Sequence, residues 1–336
     1  MPARPFDAVV LISFGGPREP REIRPFLANV LRGRSIPAER LEHVVGHYEL
    51  FDGVSPITEI TLRQAEGLRR RLTSSNLPVY VGMRNWHPFL EDTLKEMSAA
   101  GVRRALGVML AAHHSYSSCG QYKQNVVQAR QTIGAKGGQD VEITYAAGWH
   151  THEGFVVANA RHIRNARDRL PADLRQRARL VFTAHSIPLT MASESRYETE
   201  LRESAALIAH RLQWKDWTLV YQSRSGRPQD PWLEPDVCDY LRAEGATGLD
   251  AVVLSPIGFV ADHMEILYDL DTEAAEVCEE VGVAMSRAEA VNDDPSFLDT
   301  LADVVGAECQ RYATGTPLQI VPGVPPTRTE LPPPER

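Results

Sequence analysis

A histidine ends an apolar run near the middle of the chain. The run LVFTA (180–184) is rich in residues that favour β-strands, and it is followed by His185 and then by Pro188. An imidazole titrates near neutral pH, so it can accept a proton or bind a metal ion. A strand-end histidine can also serve only to hydrogen-bond a neighbouring backbone group. The residue and its position leave both interpretations open.

A row of carboxylates lies in the segment DHMEILYDLDTE (262–273). Glu265, Asp269 and Glu273 recur at every fourth residue, which on a helix places them along one face over about 12 Å. Oxygen ligands in a row suit hydrated Mg²⁺ or Fe²⁺, and like charges four residues apart slightly destabilise a helix. The alternative is a solvated acidic face. The position of the row directly after a predicted core strand supports a role in handling a metal ion, and at this point both interpretations stay open.

Strand-like and helix-like segments alternate along the chain. Apolar runs rich in β-formers occur at 8–14, 78–84, 104–111, 141–148, 179–184, 217–223 and 250–256, with helix-like stretches between them, such as 58–73, 153–170 and 261–280. Continuous apolar strands alternating with amphipathic helices are typical of parallel sheets covered on both faces. We therefore predict an α/β fold with two Rossmann-like, doubly wound domains, each with a parallel four-stranded sheet.

The division of the chain follows from the same segments. About four strands fall on each side of residue 150, so the two domains are predicted at 1–150 and 151–313, with a ligand cleft between them. The remaining residues, 314–336, are rich in proline and are predicted to form a disordered tail.

Ligands of open α/β sheets bind beyond the carboxyl ends of the strands. In this chain those positions hold the segments SFGGP (13–17), AAHHSYSSCGQY (111–122), HSIP (185–188), QSRSGRPQDPWLEPD (222–236) and SPIGFVADHMEILYDLDTE (255–273). A ligand between the two domains would touch all five segments.

The composition excludes several classes of partner. A net charge of −8 argues against a general binder of nucleic acid or anionic membranes. The four cysteines lie far apart without a C-x-x-C pair, which argues against a disulfide framework and fits a reducing cytosol. The N-terminal apolar run is broken by Gly15 and Gly16, so neither a signal peptide nor a membrane span is predicted. We expect a cytoplasmic protein without integral membrane contact.

Several motifs resemble those of the ferrochelatases, the family that inserts Fe²⁺ into a porphyrin. They are SFGGP, LRGR (31–34), HYELFDGVSPIT (47–58), MRNWHPF (83–89), HHSYSSCGQY (113–122), TAHSIP (183–188), QSRSGRPQDPWLEPD and GFVADHMEILYDLDTEA (258–274). They occur in the family's order and span the chain to about residue 310. The histidine motif and the acidic motif together are highly specific. The resemblance implies two Rossmann-like domains with a porphyrin cleft between them.

The resemblance also implies roles for individual residues. His185 and Glu265 would be catalytic, on opposite faces of the macrocycle, and both would contact the metal ion together with Asp269 and Glu273. Three further residues would contact the porphyrin, namely Phe14, Ser55 and Tyr122. One branch of the family has an arginine where this chain has His47, which makes Arg32 and Arg34 the candidates for that propionate contact.

The resemblance favours coproporphyrin III as the porphyrin. The segment 32–58 is largely polar, whereas members that use protoporphyrin at membranes have an apolar lip there. The alternatives are a protoporphyrin IX ferrochelatase, a cobalt or nickel chelatase for sirohydrochlorin-type rings, and a non-catalytic tetrapyrrole carrier, which has no need of an acidic row.

The cofactors and partners follow from the same resemblance. Fe²⁺ is expected as a substrate, and no [2Fe–2S] cluster is expected because no cysteine follows Cys309. A monomer is expected that meets an iron donor or a downstream haem-pathway enzyme and binds no nucleic acid.

Overall fold

The computed structural model describes residues 5–33, 36–115, 119–225 and 229–315. Its first half contains β1 (Ala8–Ser13), α1 (Ile23–Val30), α2 (Ala38–Glu49), α3 (Ile57–Arg71), β2 (Val79–Met83), α4 (Leu90–Ala99), β3 (Arg104–Met109), α5 (Gln121–Ala135) and β4 (Glu142–Tyr145). Its second half contains α6 (Glu153–Arg169), β5 (Arg179–His185), α7 (Leu189–Ser193), α8 (Tyr197–Leu212), β6 (Trp217–Gln222), α9 (Val237–Ala246), β7 (Ala251–Ser255), α10 (Met264–Tyr268), α11 (Ala275–Val281), β8 (Ala284–Arg287) and α12 (Pro295–Ala313).

The strands form two four-stranded parallel sheets with the same connectivity. Their orders are β2-β1-β3-β4 and β6-β5-β7-β8. In the first sheet, β2 is added on one side of β1, and β3 and β4 are added on its other side. The second sheet repeats this pattern around β5. The direction of strand addition therefore reverses between β1 and β3 and again between β5 and β7. Ligands of such sheets bind at these reversals. His185, the last residue of β5, lies at the second reversal.

Both faces of each sheet are buried. Along β1, Val9 and Leu11 belong to one apolar cluster, while Val10 and Ile12 belong to another. Successive side chains of a strand point to opposite faces, so the continuous apolar runs match a sheet with helices on both sides. The predicted α/β class with two parallel four-stranded sheets is thereby confirmed.

The last helix packs against elements from both halves of the chain. It begins after Asp294, whose carboxylate accepts a hydrogen bond of 2.8 Å from the backbone N–H of Ser296. Its apolar side chains, among them Phe297 and Leu301, join the cluster that covers one face of the first sheet, and the helix contacts α3 and α6. The division at residue 150 stays a prediction, and the predicted tail lies outside the described residues from 316 onward.

Two features differ from the sequence-based expectations. The strand β8 lacks the long apolar run by which the other strands were recognised, because it has only four residues and includes Ser286 and Arg287. The stretch 261–280, predicted as one helix, begins at Met264 and is interrupted by a π-helical turn over Asp269–Ala274.

Candidate functional site

His185 is held by its backbone and by one ring nitrogen. Its Nδ1 lies 2.5 Å from the carbonyl oxygen of Ser186, and the buried Tyr197 donates its hydroxyl to the carbonyl oxygen of His185 at 3.1 Å. Nδ1 must carry the proton in order to donate to a carbonyl, so Nε2 of the neutral ring keeps a free lone pair. The backbone hydrogen bond considered from sequence is therefore present, and it leaves Nε2 available for chemistry.

Glu265 lies between two imidazoles. Its Oε2 is 3.8 Å from Nε2 of His185 and 3.5 Å from Nε2 of His263. Burial opposes ionisation of this carboxyl group, but the hydrogen bond from His263 and the electrostatic influence of both imidazoles outweigh it, and they lower the pKa of Glu265 to about 2. The carboxylate is therefore ionised at neutral pH, beside a histidine nitrogen that can take up a proton.

The π-helical turn bears on the alignment of the three acidic residues. A spacing of four residues overshoots one α-helical turn by about 40°, so the row Glu265, Asp269 and Glu273 would drift around a regular helix. A π turn has i→i+5 hydrogen bonds and rotates less per residue, which offsets part of that drift. The buried residues Ile266 and Leu270 have the same spacing of four and keep to the core side.

Asp269 is the most strongly perturbed carboxyl group of the row. Its Oδ2 accepts hydrogen bonds from the hydroxyl of Ser223 and, at 3.3 Å, from Nε2 of Gln222. Burial, with the charges of Glu265 and Glu273, outweighs these bonds and raises the pKa of Asp269 to about 7. This carboxyl group therefore changes its charge near neutral pH.

Glu273 lies at the outer end of the row. It lines a surface pocket of about 380 Å³ together with Asp236, Cys238 and Glu276. Burial and the charges of Asp236 and Glu276 raise the pKa of Glu273. A cation that enters this pocket would approach the row from solvent.

Histidines are the only basic side chains that form an ion pair with the row in the described part of the chain. Among its ion pairs, none joins a lysine or arginine to Glu265, Asp269 or Glu273. The described side chains also contain no group of three or more His, Cys, Asp or Glu placed to hold a metal ion.

Helix α2, which belongs to the first half of the chain, packs against α10. The ring of His47 stacks on that of Tyr268, with centroids 3.5 Å apart and planes at 10°. About two helical turns before His47, Nη2 of Arg40 donates to the carbonyl oxygen of Ser225 at 3.0 Å. The two contacts join α2 to α10 and to the loop after β6.

The residues predicted to bind porphyrin have varied surroundings. Phe14 is half-buried in an aromatic cluster, where it meets Phe26 edge-on. Ser55 is buried and its hydroxyl accepts a hydrogen bond of 3.3 Å from the backbone N–H of Met264. Tyr122 is buried in the core of the first sheet, and burial raises its pKa. Arg32 is exposed and donates to Asn29 at 2.8 Å, and Arg34 lies outside the described residues.

Two further polar residues lie near these positions, although neither was assigned a role in the site from the sequence. His263 caps the start of α10 and contacts Glu265, and its place two residues before Glu265 in the acidic motif was a usable signal. Arg84 follows β2 and donates to Gln121, beside Tyr122. Its signal was its position after a strand of the first sheet.

Within the ranges that the structure describes, no helix has the length and apolar character needed to cross a membrane.

Known proteins resemble the chain over most of its length. The family model Ferrochelatase matches residues 6–309. The coproporphyrin III ferrochelatase of Mycolicibacterium smegmatis is 43% identical over 334 residues, which cover 98% of this chain and 94% of that protein. The coproporphyrin III ferrochelatase of Streptomyces coelicolor is 43% identical over 320 residues, which cover 90% and 85%.

A solved structure supports the fold independently. SirB from Bacillus subtilis, determined with Fe³⁺, superposes with a TM-score of 0.57 over 93% of this chain and 98% of that chain, at 11% sequence identity. At that identity the likeness concerns the fold alone. The family match spans both sheets, the imidazoles around Glu265 and the acidic row, and the chain therefore belongs to the ferrochelatase family.

Proposed function

We propose that this protein inserts Fe²⁺ into coproporphyrin III and releases two protons. The observation that carries the proposal is the position of the ionised Glu265, 3.8 Å from Nε2 of His185, at the inner end of a carboxylate row that pairs with no lysine or arginine among the described residues. Metal insertion requires a group that removes pyrrole protons and a path that supplies a divalent cation. These side chains offer both.

His185 is the proposed acceptor of pyrrole protons. Its Nδ1–H is held by the carbonyl oxygen of Ser186, so an incoming proton binds at Nε2. The resulting imidazolium lies beside the Glu265 carboxylate, which stabilises the positive charge. The 3.8 Å between the two side chains leaves no room for a macrocycle, so we propose that both act from the same face of the ring and not from opposite faces. His263, 3.5 Å from the same carboxylate oxygen, offers a second nitrogen through which a proton can leave. Each pyrrole N–H bond that breaks leaves a nitrogen lone pair for the metal ion.

The acidic row is the proposed path of the metal ion. Fe²⁺ prefers hard oxygen and imidazole ligands, and Glu273, Asp269 and Glu265 offer oxygens in succession from the surface pocket to His185. The ion exchanges water for carboxylate oxygens as it advances. At the inner end it passes to the four porphyrin nitrogens, which replace these ligands.

Coproporphyrin III is the proposed macrocycle because two observations agree. The segment 32–58 is largely polar, and the relatives with 43% identity from Mycolicibacterium and Streptomyces are named coproporphyrin III ferrochelatases. We propose that Phe14 packs on the ring and that Arg32, Arg34, Ser55 and Tyr122 serve its propionates. The buried Ser55 and Tyr122 would reach a propionate only through local rearrangement, so Arg32 and Arg34 are the first candidates to test.

Several expectations accompany this function. The protein is expected to act as a cytoplasmic monomer, to need no [2Fe–2S] cluster, and to receive iron from a donor or pass its product to another haem-pathway enzyme. The iron content of the purified protein tests the absence of a cluster, and its mass in solution tests the monomeric state.

The decisive experiment compares three reactions under anaerobic conditions. The purified protein is incubated with Fe²⁺ and one of three macrocycles, namely coproporphyrin III, protoporphyrin IX or a sirohydrochlorin, and the absorbance change on metallation is followed. We expect metallation of both porphyrins, with the higher kcat/KM for coproporphyrin III. A higher kcat/KM for protoporphyrin IX would reverse the substrate assignment. Tight binding without metallation would indicate a carrier, and metallation of a sirohydrochlorin alone would indicate the other chelatase class.

A further inference from the structure

The segment that contains the acidic row has five carboxylates, and one arginine binds two of them. Nη1 of Arg287 lies 2.8 Å from Oδ1 of Asp262, while Nε and Nη2 of the same guanidinium lie 2.6 and 2.8 Å from the two oxygens of Asp271. The contact with Asp271 is a bidentate pair, the geometry that fits a planar guanidinium best. Arg287 thus joins the residue before His263 to the middle of the π-helical turn.

The contact of Arg287 with Asp262 is largely buried. The side chains of Arg287 and Asp262 are only 12% and 11% exposed. The second oxygen of Asp262 accepts a hydrogen bond of 2.8 Å from Nδ2 of Asn292, whose Oδ1 accepts one of 2.8 Å from the backbone N–H of Asp262. Hydrogen bonds of charged groups at this depth are strong and directional. The start of the segment is therefore fixed from two sides.

The remaining three carboxylates are left without such a partner. Glu265, Asp269 and Glu273 have no ion pair with lysine or arginine among the described residues. Asp271 lies midway between Asp269 and Glu273 in sequence, yet its carboxylate forms an ion pair with Arg287. The chain thus separates five neighbouring carboxylates into two that hold the segment and three that stay available to a cation.

We propose that Arg287 is a positioning residue for metal delivery. It keeps Asp262 and Asp271 from competing for the metal ion, and it fixes the π-helical turn so that Asp269 and Glu273 stay in line with Glu265. This inference rests on the proposed function of the acidic row. It assigns a role to a residue of β8 that itself touches neither the porphyrin nor the reacting nitrogens.

The test uses three variants and one control in the full-length protein. Arg287→Lys keeps the charge but loses the bidentate fork, Arg287→Met removes both, and Asp271→Asn weakens only the outer pair. Arg177→Lys is the control, because Arg177 pairs with Asp250 at the opposite, N-terminal end of β7. For each protein we would measure the melting temperature, the KM for Fe²⁺, the KM for coproporphyrin III, and the Kd for Co²⁺ without porphyrin.

We expect the metal constants to change and the porphyrin constant to stay at the wild-type value. The KM for Fe²⁺ and the Kd for Co²⁺ should rise about tenfold or more in Arg287→Met, as is usual when a residue that supports metal ligands is removed, and by less in Arg287→Lys and Asp271→Asn. If Arg287→Met does not fold, the two milder variants decide. A lower melting temperature with wild-type metal constants would overturn the proposal and leave a structural role only.

The Co²⁺ measurement separates this inference from the proposed function. If the wild-type protein binds Co²⁺ but metallates no porphyrin, the proposed function fails, while the effect of the three variants on the Kd still judges the role of Arg287. If the wild-type protein metallates coproporphyrin III and all three variants match it in both metal constants, only the inference about Arg287 fails.

Discussion

His47 lies face to face with Tyr268, with ring centroids 3.5 Å apart and planes inclined by 10°. The first residue belongs to α2 in one half of the chain, and the second ends α10 immediately before Asp269. Burial and the neighbouring His43 lower the pKa of His47 to about 4, so the stacked imidazole is neutral at physiological pH. The contact therefore joins the polar segment 32–58 to the residue directly before Asp269, the middle member of the acidic row.

Replacing His47 tests this coupling. His47→Ala removes the stack and should destabilise the protein by about 1 kcal/mol, the usual magnitude for an aromatic pair. His47→Phe keeps a ring and should retain most of the stability and activity. Thermal melts and steady-state rates of both variants give the comparison. If the Ala and Phe variants are alike, neither the stacked ring nor its volume contributes to stability.

His185→Ala should abolish metal insertion and leave porphyrin binding within a few-fold of wild type. The reason is that Nε2 of His185 is the proposed proton acceptor beside Glu265, whereas the backbone hydrogen bonds of the strand remain. Single-turnover metallation and quenching of porphyrin fluorescence measure the two properties separately. His210→Ala, at an exposed position near the end of α8, is the control. Wild-type turnover in His185→Ala would remove this histidine from the mechanism.

Glu265→Gln should reduce kcat more than it changes either KM. The substitution keeps the shape of the side chain but removes the charge that stabilises a protonated His185, so the loss falls on the chemical step. Steady-state rates over a range of Fe²⁺ and coproporphyrin III concentrations give kcat and both KM values. A rise in the KM for Fe²⁺ with an unchanged kcat would instead assign Glu265 to metal binding alone.

The two outer carboxylates should affect the metal ion and not the porphyrin. Asp269→Ala and Glu273→Ala each remove one hard oxygen ligand from the row, so each should raise the KM for Fe²⁺ and leave the KM for coproporphyrin III nearly unchanged. Glu279→Ala, an exposed acidic residue on α11, removes the same charge outside the row and should behave as wild type. Equal effects of all three substitutions would point to general surface charge.

Asp269→Asn should stabilise the protein in a manner that depends on pH. The pKa of Asp269 is raised from 3.8 to about 7 in the folded protein, so the folded state keeps a proton that the unfolded state loses in this interval. Ionisation of Asp269 therefore lowers the free energy of unfolding progressively as the pH rises from about 4 to 7, and the loss stays constant above that range. The variant should melt at a higher temperature than wild type at pH 8, and the difference should vanish towards pH 4. A difference independent of pH would contradict this cause.

The sheets could be predicted from the sequence because their apolar runs are long and uninterrupted. The run AVVLIS predicts β1 without reference to any partner, and LVFTA followed by His185 predicts both β5 and a candidate catalytic residue. The strand β8 could not be found in this way, since its pairing with β7 compensates for its short and polar sequence. Strand order likewise depends on contacts between distant segments.

The site was predictable in its residue types but not in its pairings. The row from Glu265 to Glu273 is visible as a spacing, but the bidentate contact of Arg287 with Asp271 joins residues 16 positions apart and leaves no local pattern. The burial of Ser55 depends on Met264, more than 200 residues away. Such contacts are decided by how the halves of the chain pack, which local propensity does not encode.

The placement of α12 has a consequence for biosynthesis. The apolar face of the first sheet is completed by Phe297, Leu298 and Leu301, which are among the last residues of the described chain to be translated. During translation the early half therefore keeps part of its core uncovered until the carboxyl-terminal helix leaves the ribosome, so it cannot reach full stability as an independent intermediate. A chain interrupted before Asp294 would leave that surface exposed, and premature termination should yield aggregating fragments rather than a stable half-enzyme.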